Sequence, residues 1–91
     1  MSHAVAEDVD TRPLSEDELA EARRYTMIVQ WSPEDDAFLI TVPELDDAHT
    51  HGATPTEAVE MGAELVASYL SFQRRRGEPV PQPRLFNGQR P

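Results

Sequence analysis

Cysteine is absent from this chain of 91 residues, and basic residues and long apolar runs are scarce. Without cysteine there is no disulfide framework and no thiolate metal site, which favours a reducing compartment. No apolar stretch approaches the roughly 20 residues that cross a bilayer. The N-terminus also lacks the basic and apolar regions of a secretory signal. These absences predict a cytoplasmic protein that does not associate with membranes.

The shortage of basic residues gives the chain a strongly acidic surface. There are 17 Asp and Glu residues against 8 Lys and Arg, for a net charge of −9 and a pI of about 4.6. Such a surface repels phosphate backbones and attracts basic proteins. The exception is Arg74–Arg76 at the end of a predicted helix, where positive charge suits the helix dipole; a phosphate-contacting patch is the alternative. No direct DNA binding is expected.

The hydrophobic pattern predicts one α+β domain, because the chain has room for a single modest core. It contains a three-stranded antiparallel sheet packed by one long helix, an extra short N-terminal helix, and a candidate C-terminal edge strand at Val80. Residues 1–13 are predicted to be a disordered acidic arm, residues 14–83 the domain and residues 84–91 a tail. Within the domain we expect the N-terminal helix over 14–24, antiparallel strands over 25–51 and the main helix over 54–76.

Helix-capping residues support both helix assignments. Ser15 with Glu18, and Thr54 with Glu57, have the spacing of capping boxes, and Gly77 suits the position after a helix C-terminus. The main helix has an apolar arc of roughly 200°, wider than the roughly 100° that one sheet covers. A second surface, either the N-terminal helix or another subunit, must cover the remainder. For self-association on this helix we single out Val59, Gly62, Val66, Tyr69 and Leu70.

Two groups of polar residues are candidates for metal chemistry. His49 and His51 lie on one side of a predicted strand near Asp46 and Asp47, but metal sites need three or four convergent ligands. An exposed pair of histidines without a metal is therefore preferred. The carboxylates around residues 34–36 fit ordinary turn chemistry better than a Mg²⁺ site. No nucleophile motif or phosphate-binding loop is present, so we expect no catalysis and no cofactor.

The central part of the chain resembles the HicB-like antitoxin family over about residues 25–83. The resemblance is carried by Tyr25, Val29-x-Trp31-Ser32-x-Glu34-Asp35, Phe38 to Val42-Pro43-Glu44-Leu45, and Thr50-x-Gly52-x-Thr54-x-x-Glu57-Ala58. Three departures stand out. Asp46-Asp47 replaces the Pro-Gly usual in that family, a helical extension before Tyr25 is additional to the minimal module, and eight residues follow Pro83, too few for a DNA-binding domain.

The resemblance implies a small degenerate ribonuclease-H-like module that forms homo-oligomers, as a dimer or a tetramer. It also implies a function, since members of the family cover and neutralise a small basic toxin that cleaves mRNA. Many members carry a C-terminal DNA-binding domain for their own operator. For this chain the implied role is the antitoxin of a type II toxin–antitoxin pair, or a stand-alone relative.

The working hypothesis is therefore a non-enzymatic HicB-like protein that binds a basic HicA-type toxin. Two alternatives stay open, namely a metal-dependent nuclease remnant using His49 and His51, and a small oligomeric scaffold with an unrelated partner. For the partner-facing surface we single out the acidic hairpin turn, the acidic loop after it and one aromatic residue: Trp31, Glu34, Asp35, Asp36, Asp46 and Asp47.

Overall fold

The computed structural model describes residues 14–87. In chain order the elements are helix α1 (Glu16–Ala22), strands β1 (Ile28–Ser32) and β2 (Ala37–Val42), a 3-10 turn (Pro43–Leu45), strand β3 (Ala48–Gly52) and helix α2 (Pro55–Arg75). The α+β architecture predicted from the sequence is confirmed. The predicted arm over residues 1–13 lies outside the described residues, as do the last four residues of the predicted tail.

The three strands form one antiparallel sheet in the order β1-β2-β3. Val29 and Trp31 of β1 pair with Ile40 and Phe38 of β2, and Ile40 pairs in turn with Thr50 of β3. Because side chains alternate along a strand, these residues share one face of the sheet. That face meets α2, and the other face carries alternate residues of all three strands: Ile28, Gln30, Leu39, Thr41, His49 and His51.

Helix α2 lies over β2 and β3 and barely touches β1. The contact is close at Gly62, where an added Cβ would lie 2.9 Å from Cγ2 of Ile40. Ile40, Val66 and Leu70 are almost completely buried between helix and sheet. Truncation of such a side chain to alanine typically costs about 2–5 kcal/mol, so this layer supplies much of the stability of the domain.

Most of the wide apolar arc of α2 is covered within the protomer, although Met61 and Phe72 stay exposed. Helix α1 packs on α2 with Ala22 fully buried, and Val80 of the C-terminal segment packs against the same core. Residues 78–87 have no regular secondary structure, so Val80 forms no edge strand in the described chain. The second surface required by the sequence analysis is thus the N-terminal helix together with this segment.

This packing corrects the self-association surface predicted from the sequence. Gly62, Val66 and Leu70 are buried inside the protomer, while Val59 and Tyr69 are partly buried beside them. The three buried residues cannot reach a second copy while the domain is folded. Gly62, Val66 and Leu70 are therefore core residues and not surface residues.

The helix ends follow the predicted capping pattern with one difference. Ser15 Oγ accepts from the backbone N–H of Glu18, and the Glu18 carboxylate accepts from that of Ser15, which completes the capping box. At α2, Thr54 Oγ1 accepts from the N–H of Glu57 at 3.0 Å. The Glu57 carboxylate, however, accepts from Ala53 at 2.8 Å. The Glu57 carboxylate therefore binds the backbone of Ala53, one residue before the N-cap.

Gly77 has the predicted role at the C-terminus of α2. Its φ is +70°, in the left-handed region that a side chain disfavours. Its N–H donates to the carbonyl of Arg74, and the N–H of Glu78 donates to that of Gln73. These two bonds form a Schellman motif, which ends the helix and lets the following residues turn back towards the core.

Gly52 is required for a different reason, the close approach of β3 to the first turn of α2. A Cβ there would lie 2.5 Å from the backbone nitrogen of Ala58. We expect Gly52→Ala to lower the free energy of unfolding by at least about 2 kcal/mol, because two backbone segments must separate. Gly77→Ala is the matched control. Its Cβ would meet no atom within 4 Å, so only the left-handed backbone opposes it, at a cost of about 1 kcal/mol.

Urea unfolding followed by circular dichroism measures both variants. If Gly52→Ala costs no more than Gly77→Ala, the close approach does not constrain residue 52.

Candidate interaction surface

The hairpin turn between β1 and β2 presents three carboxylates at one end of the sheet. Glu34, Asp35 and Asp36 are all exposed. The Ser32 hydroxyl donates to Asp35 Oδ2 at 3.1 Å and accepts from the Asp35 N–H at 3.3 Å, which fixes the turn. Asp36 has a φ of +52°, a conformation that Asp tolerates better than most residues. Local backbone chemistry therefore explains the two aspartates but leaves their charge facing solvent.

Trp31 lies at the same end of the sheet and is half exposed. Its ring contacts that of Phe38 edge-on, with centroids 4.9 Å apart and an interplanar angle of 65°. The indole projects from the helix side of β1, where α2 does not reach, so half of its surface stays exposed. Trp31 therefore lies at the end of the sheet that carries the acidic turn.

Asp46 and Asp47 lie at the opposite end of the sheet. They follow the 3-10 turn, have φ values of +57° and +61°, and are exposed. The six residues of β2 separate them from the hairpin turn, a distance of about 20 Å at the usual rise of a strand. The partner-facing surface predicted from the sequence is therefore not one contiguous patch but two acidic turns.

Glu44 forms a hydrogen-bonded junction beside this second turn. Its carboxylate accepts from the N–H and the hydroxyl of Thr26, at 3.0 and 2.9 Å, and from the N–H of Arg84 at 2.8 Å. Partial burial alone raises the pKa of the Glu44 carboxyl, but the hydrogen bonds from Arg84 and Thr26 outweigh burial and hold the pKa below its ordinary value. Glu44 thus ties the start of β1 to the C-terminal segment.

Tyr25 provides a second tie to the same segment. Its hydroxyl donates a short hydrogen bond to the carbonyl of Pro81, and burial raises the pKa of the phenol. Gln73 of α2 adds a longer bond to the carbonyl of Pro79. Sequence reasoning did not predict that these hydrogen bonds hold residues 79–84 against the domain, although Pro43-Glu44-Leu45 was part of the pattern that carried the resemblance.

The face of the sheet opposite α2 is not covered by any element within residues 14–87. His49 and His51 lie there, both exposed, opposite Thr41 and Leu39 of β2. Helix α1 packs on α2 and so leaves this face open. Among the described residues, no group of three or more His, Cys, Asp or Glu side chains is arranged to hold a metal ion.

A shallow depression lies between the end of α1 and the first turns of α2. It is lined by Arg23, Pro55, Thr56, Val59 and Glu60. Its two charged side chains have opposite sign, and no predicted partner-binding residue is among those that line it. The depression therefore gives no support to the antitoxin, nuclease or scaffold hypothesis.

Comparison with known proteins returns no match: no family model, no curated protein and no solved structure is similar to the chain. Within the described residues, neither helix combines the length and apolar character that a membrane span requires.

The Glu44 junction makes the stability of the domain depend on pH. The pKa of Glu44 is lower in the folded than in the unfolded chain, so its stabilisation is complete above the ordinary value of 4.5 and is lost as the pH falls through the folded value. We expect Glu44→Gln to lower the free energy of unfolding at pH 7 by about 1.5–3 kcal/mol, the usual contribution of hydrogen bonds to a charged group. Below the folded pKa the difference should disappear.

Glu60→Gln removes the same charge from an exposed position on α2 and is the control. Thermal unfolding from pH 7 to pH 3 compares the two variants with the wild type. If the two variants lose the same stability at pH 7, the hydrogen bonds of Glu44 contribute nothing specific.

Proposed function

We propose that this chain is a non-enzymatic protein-binding module that acts in the manner of a HicB-like antitoxin, covering a small basic toxin that cleaves mRNA. The observation that carries the proposal is the acidic hairpin turn, whose three carboxylates are exposed. In the described chain the ion pairs join Glu21 to Arg74 and Glu78 to Arg76. The charge of the turn thus stays available to a basic partner.

The architecture supports the proposal, because a three-stranded antiparallel sheet with a helix across it is what the resemblance implies. The net charge of −9 adds a long-range field that speeds association with a basic protein and opposes RNA. A partner that acts on mRNA is met in the cytoplasm, so the proposal includes that location. A stand-alone relative would use the same surface on a different basic partner.

The two acidic turns differ in how much charge they expose, and this difference favours the hairpin turn as the binding site. The turn at residues 33–36 presents three exposed carboxylates at the tip of a hairpin, whereas Asp46 and Asp47 present two beside the hydrogen-bonded Glu44 junction. Charged groups on a surface speed the approach of an oppositely charged partner and contribute to specificity. The hairpin turn therefore offers more negative charge to a basic partner.

A matched pair of double variants tests this assignment. Asp35→Asn/Asp36→Asn and Asp46→Asn/Asp47→Asn each remove two negative charges, and Asn tolerates the left-handed positions in both turns. We expect the first pair to weaken binding of a basic HicA-type protein encoded beside the gene by about tenfold or more. The second pair should have a smaller effect, through the general field alone.

Co-expression, growth rescue and calorimetric titration of the purified pair measure the outcome. Equal losses from both double variants would show that only net charge matters, and the hairpin turn would not be the site. If the gene has no basic neighbour, or the two proteins do not co-purify, the antitoxin proposal fails.

A further inference from the structure

We infer that the exposed edge of β1 pairs with the same edge of a second copy of this chain, so that two three-stranded sheets join into one of six strands. The inference goes beyond the proposed function, because it assigns a surface for self-association. It concerns self-association only, so that it can fail while binding of a basic partner stands. The starting observation is that β1 is exposed on both faces, with Ile28, Val29 and Trp31 each at least 40% exposed.

Within residues 14–87, the outer edge of β1 shows none of the devices that keep sheet edges from pairing. Edge strands of monomers are usually protected by charged side chains, proline, a bulge or a covering element. Residues Ile28–Ser32 contain no charged residue and no proline, and their pairing with β2 is continuous. Helix α2 covers β3 but not β1. The unpaired backbone groups of β1 are thus open to another strand.

The absence of charge favours a second copy over a basic protein as the occupant. A basic partner is recognised through carboxylates, and β1 has none. Two copies each carrying a net charge of −9 repel one another, so they can meet closely only where the surface is uncharged. β1 provides such a surface in a chain in which 27% of the residues are charged.

A two-fold axis at Gln30 gives the pairing in which all five residues of β1 overlap. Antiparallel pairing about this axis sets Gln30 opposite Gln30 of the second copy and Val29 opposite Trp31 of the second copy. A β-branched residue opposite an aromatic one is a favourable cross-strand pair. On the open face, Ile28 lies opposite Ser32 of the second copy, and no charged residue meets another.

The C-terminal segment supplies a second element at the same interface. Arg84 and Thr26 both donate their N–H to the Glu44 carboxylate, so the segment emerges beside the start of β1. The next two residues, Leu85 and Phe86, are 70% and 89% exposed. In the antiparallel arrangement the start of β1 lies next to the end of β1 in the second copy. That end carries Trp31 of the second copy. Leu85 and Phe86 therefore lie within reach of that indole and can cover it.

This arrangement changes the assignment of Trp31. The sequence analysis predicts that Trp31 faces the basic partner, whereas here its indole is buried between two copies. The carboxylates of the hairpin turn lie beyond the paired residues 28–32. The two surfaces use different residues, so each can be tested by its own variants.

The absence of cysteine makes a single-cysteine crosslink a direct test of the pairing register. Across an antiparallel pair on the axis, Cα atoms lie about 4.5–5.5 Å apart, within the range of a disulfide. Gln30→Cys should therefore give a disulfide-linked dimer under mild oxidation. Ser32→Cys is the control, because two such residues lie about 13 Å apart in this register. Crosslinking of both variants, or of neither, overturns the register.

Sedimentation equilibrium of the full chain tests the interface itself. We expect a dimer, and Val29→Glu should raise its dissociation constant at least about tenfold, which corresponds to about 1.4 kcal/mol. Thr56→Glu adds the same charge at an exposed position on α2 and should leave the dimer intact. Phe86→Ser should weaken it to a lesser degree. A wild-type chain that stays monomeric, or a folded Val29→Glu variant that dimerises as well as Thr56→Glu, overturns the inference.

Titration of a basic partner into the Val29→Glu variant separates this inference from the proposed function. Binding that survives in the monomeric variant supports two independent surfaces. If the wild type is monomeric and Val29→Glu abolishes partner binding, β1 receives a strand of the partner and the second copy is the wrong occupant.

Discussion

The position of α2 over β2 and β3 is the constraint on which the rest of the structure depends. Two glycines set it. Gly52 lets the backbone of β3 approach the first turn of the helix, and Gly62 lets the helix axis settle on Ile40. A helix seated there fills the space above two strands and leaves the third uncovered. The apolar side chains of β1 are thus exposed because α2 packs closely on β2 and β3.

The position of α2 also determines which elements can cover the rest of its apolar surface. Because the helix has a wide apolar arc, it needs cover on the side away from the sheet. Helix α1 supplies part of that cover, and the C-terminal segment, held by Tyr25 and by the Glu44 carboxylate, supplies another part. Glu44 hence does more than end a strand. It brings the start of β1 and the last described residues to one place, beside the one edge that α2 does not cover.

The sequence predicted those features that depend on local chemistry. Ser15 with Glu18, Thr54 with Glu57, and Gly77 identified the ends of both helices, because capping residues act on backbone within one turn. The alternation of side chains placed Val29 and Trp31 on one face of β1. Features that depend on tertiary placement were not predictable. The apolar arc of α2 could not show whether α1 or a second subunit covers it, so Val66 and Leu70 were assigned to an interface although they form the core.

The arrangement of the acidic residues in the candidate binding surface was likewise not predictable from the sequence. Composition gives the total charge, and the turn chemistry of Asp explains where its residues occur, yet neither gives the distance between two turns. The structure separates residues 34–36 from Asp46 and Asp47 by the length of β2. One broad acidic surface thereby becomes two small ones, with three exposed carboxylates in the hairpin turn and two in the turn after β2. Because negative charge attracts a basic partner, the larger group favours the hairpin turn for that partner, while uncharged β1 is left for a second copy.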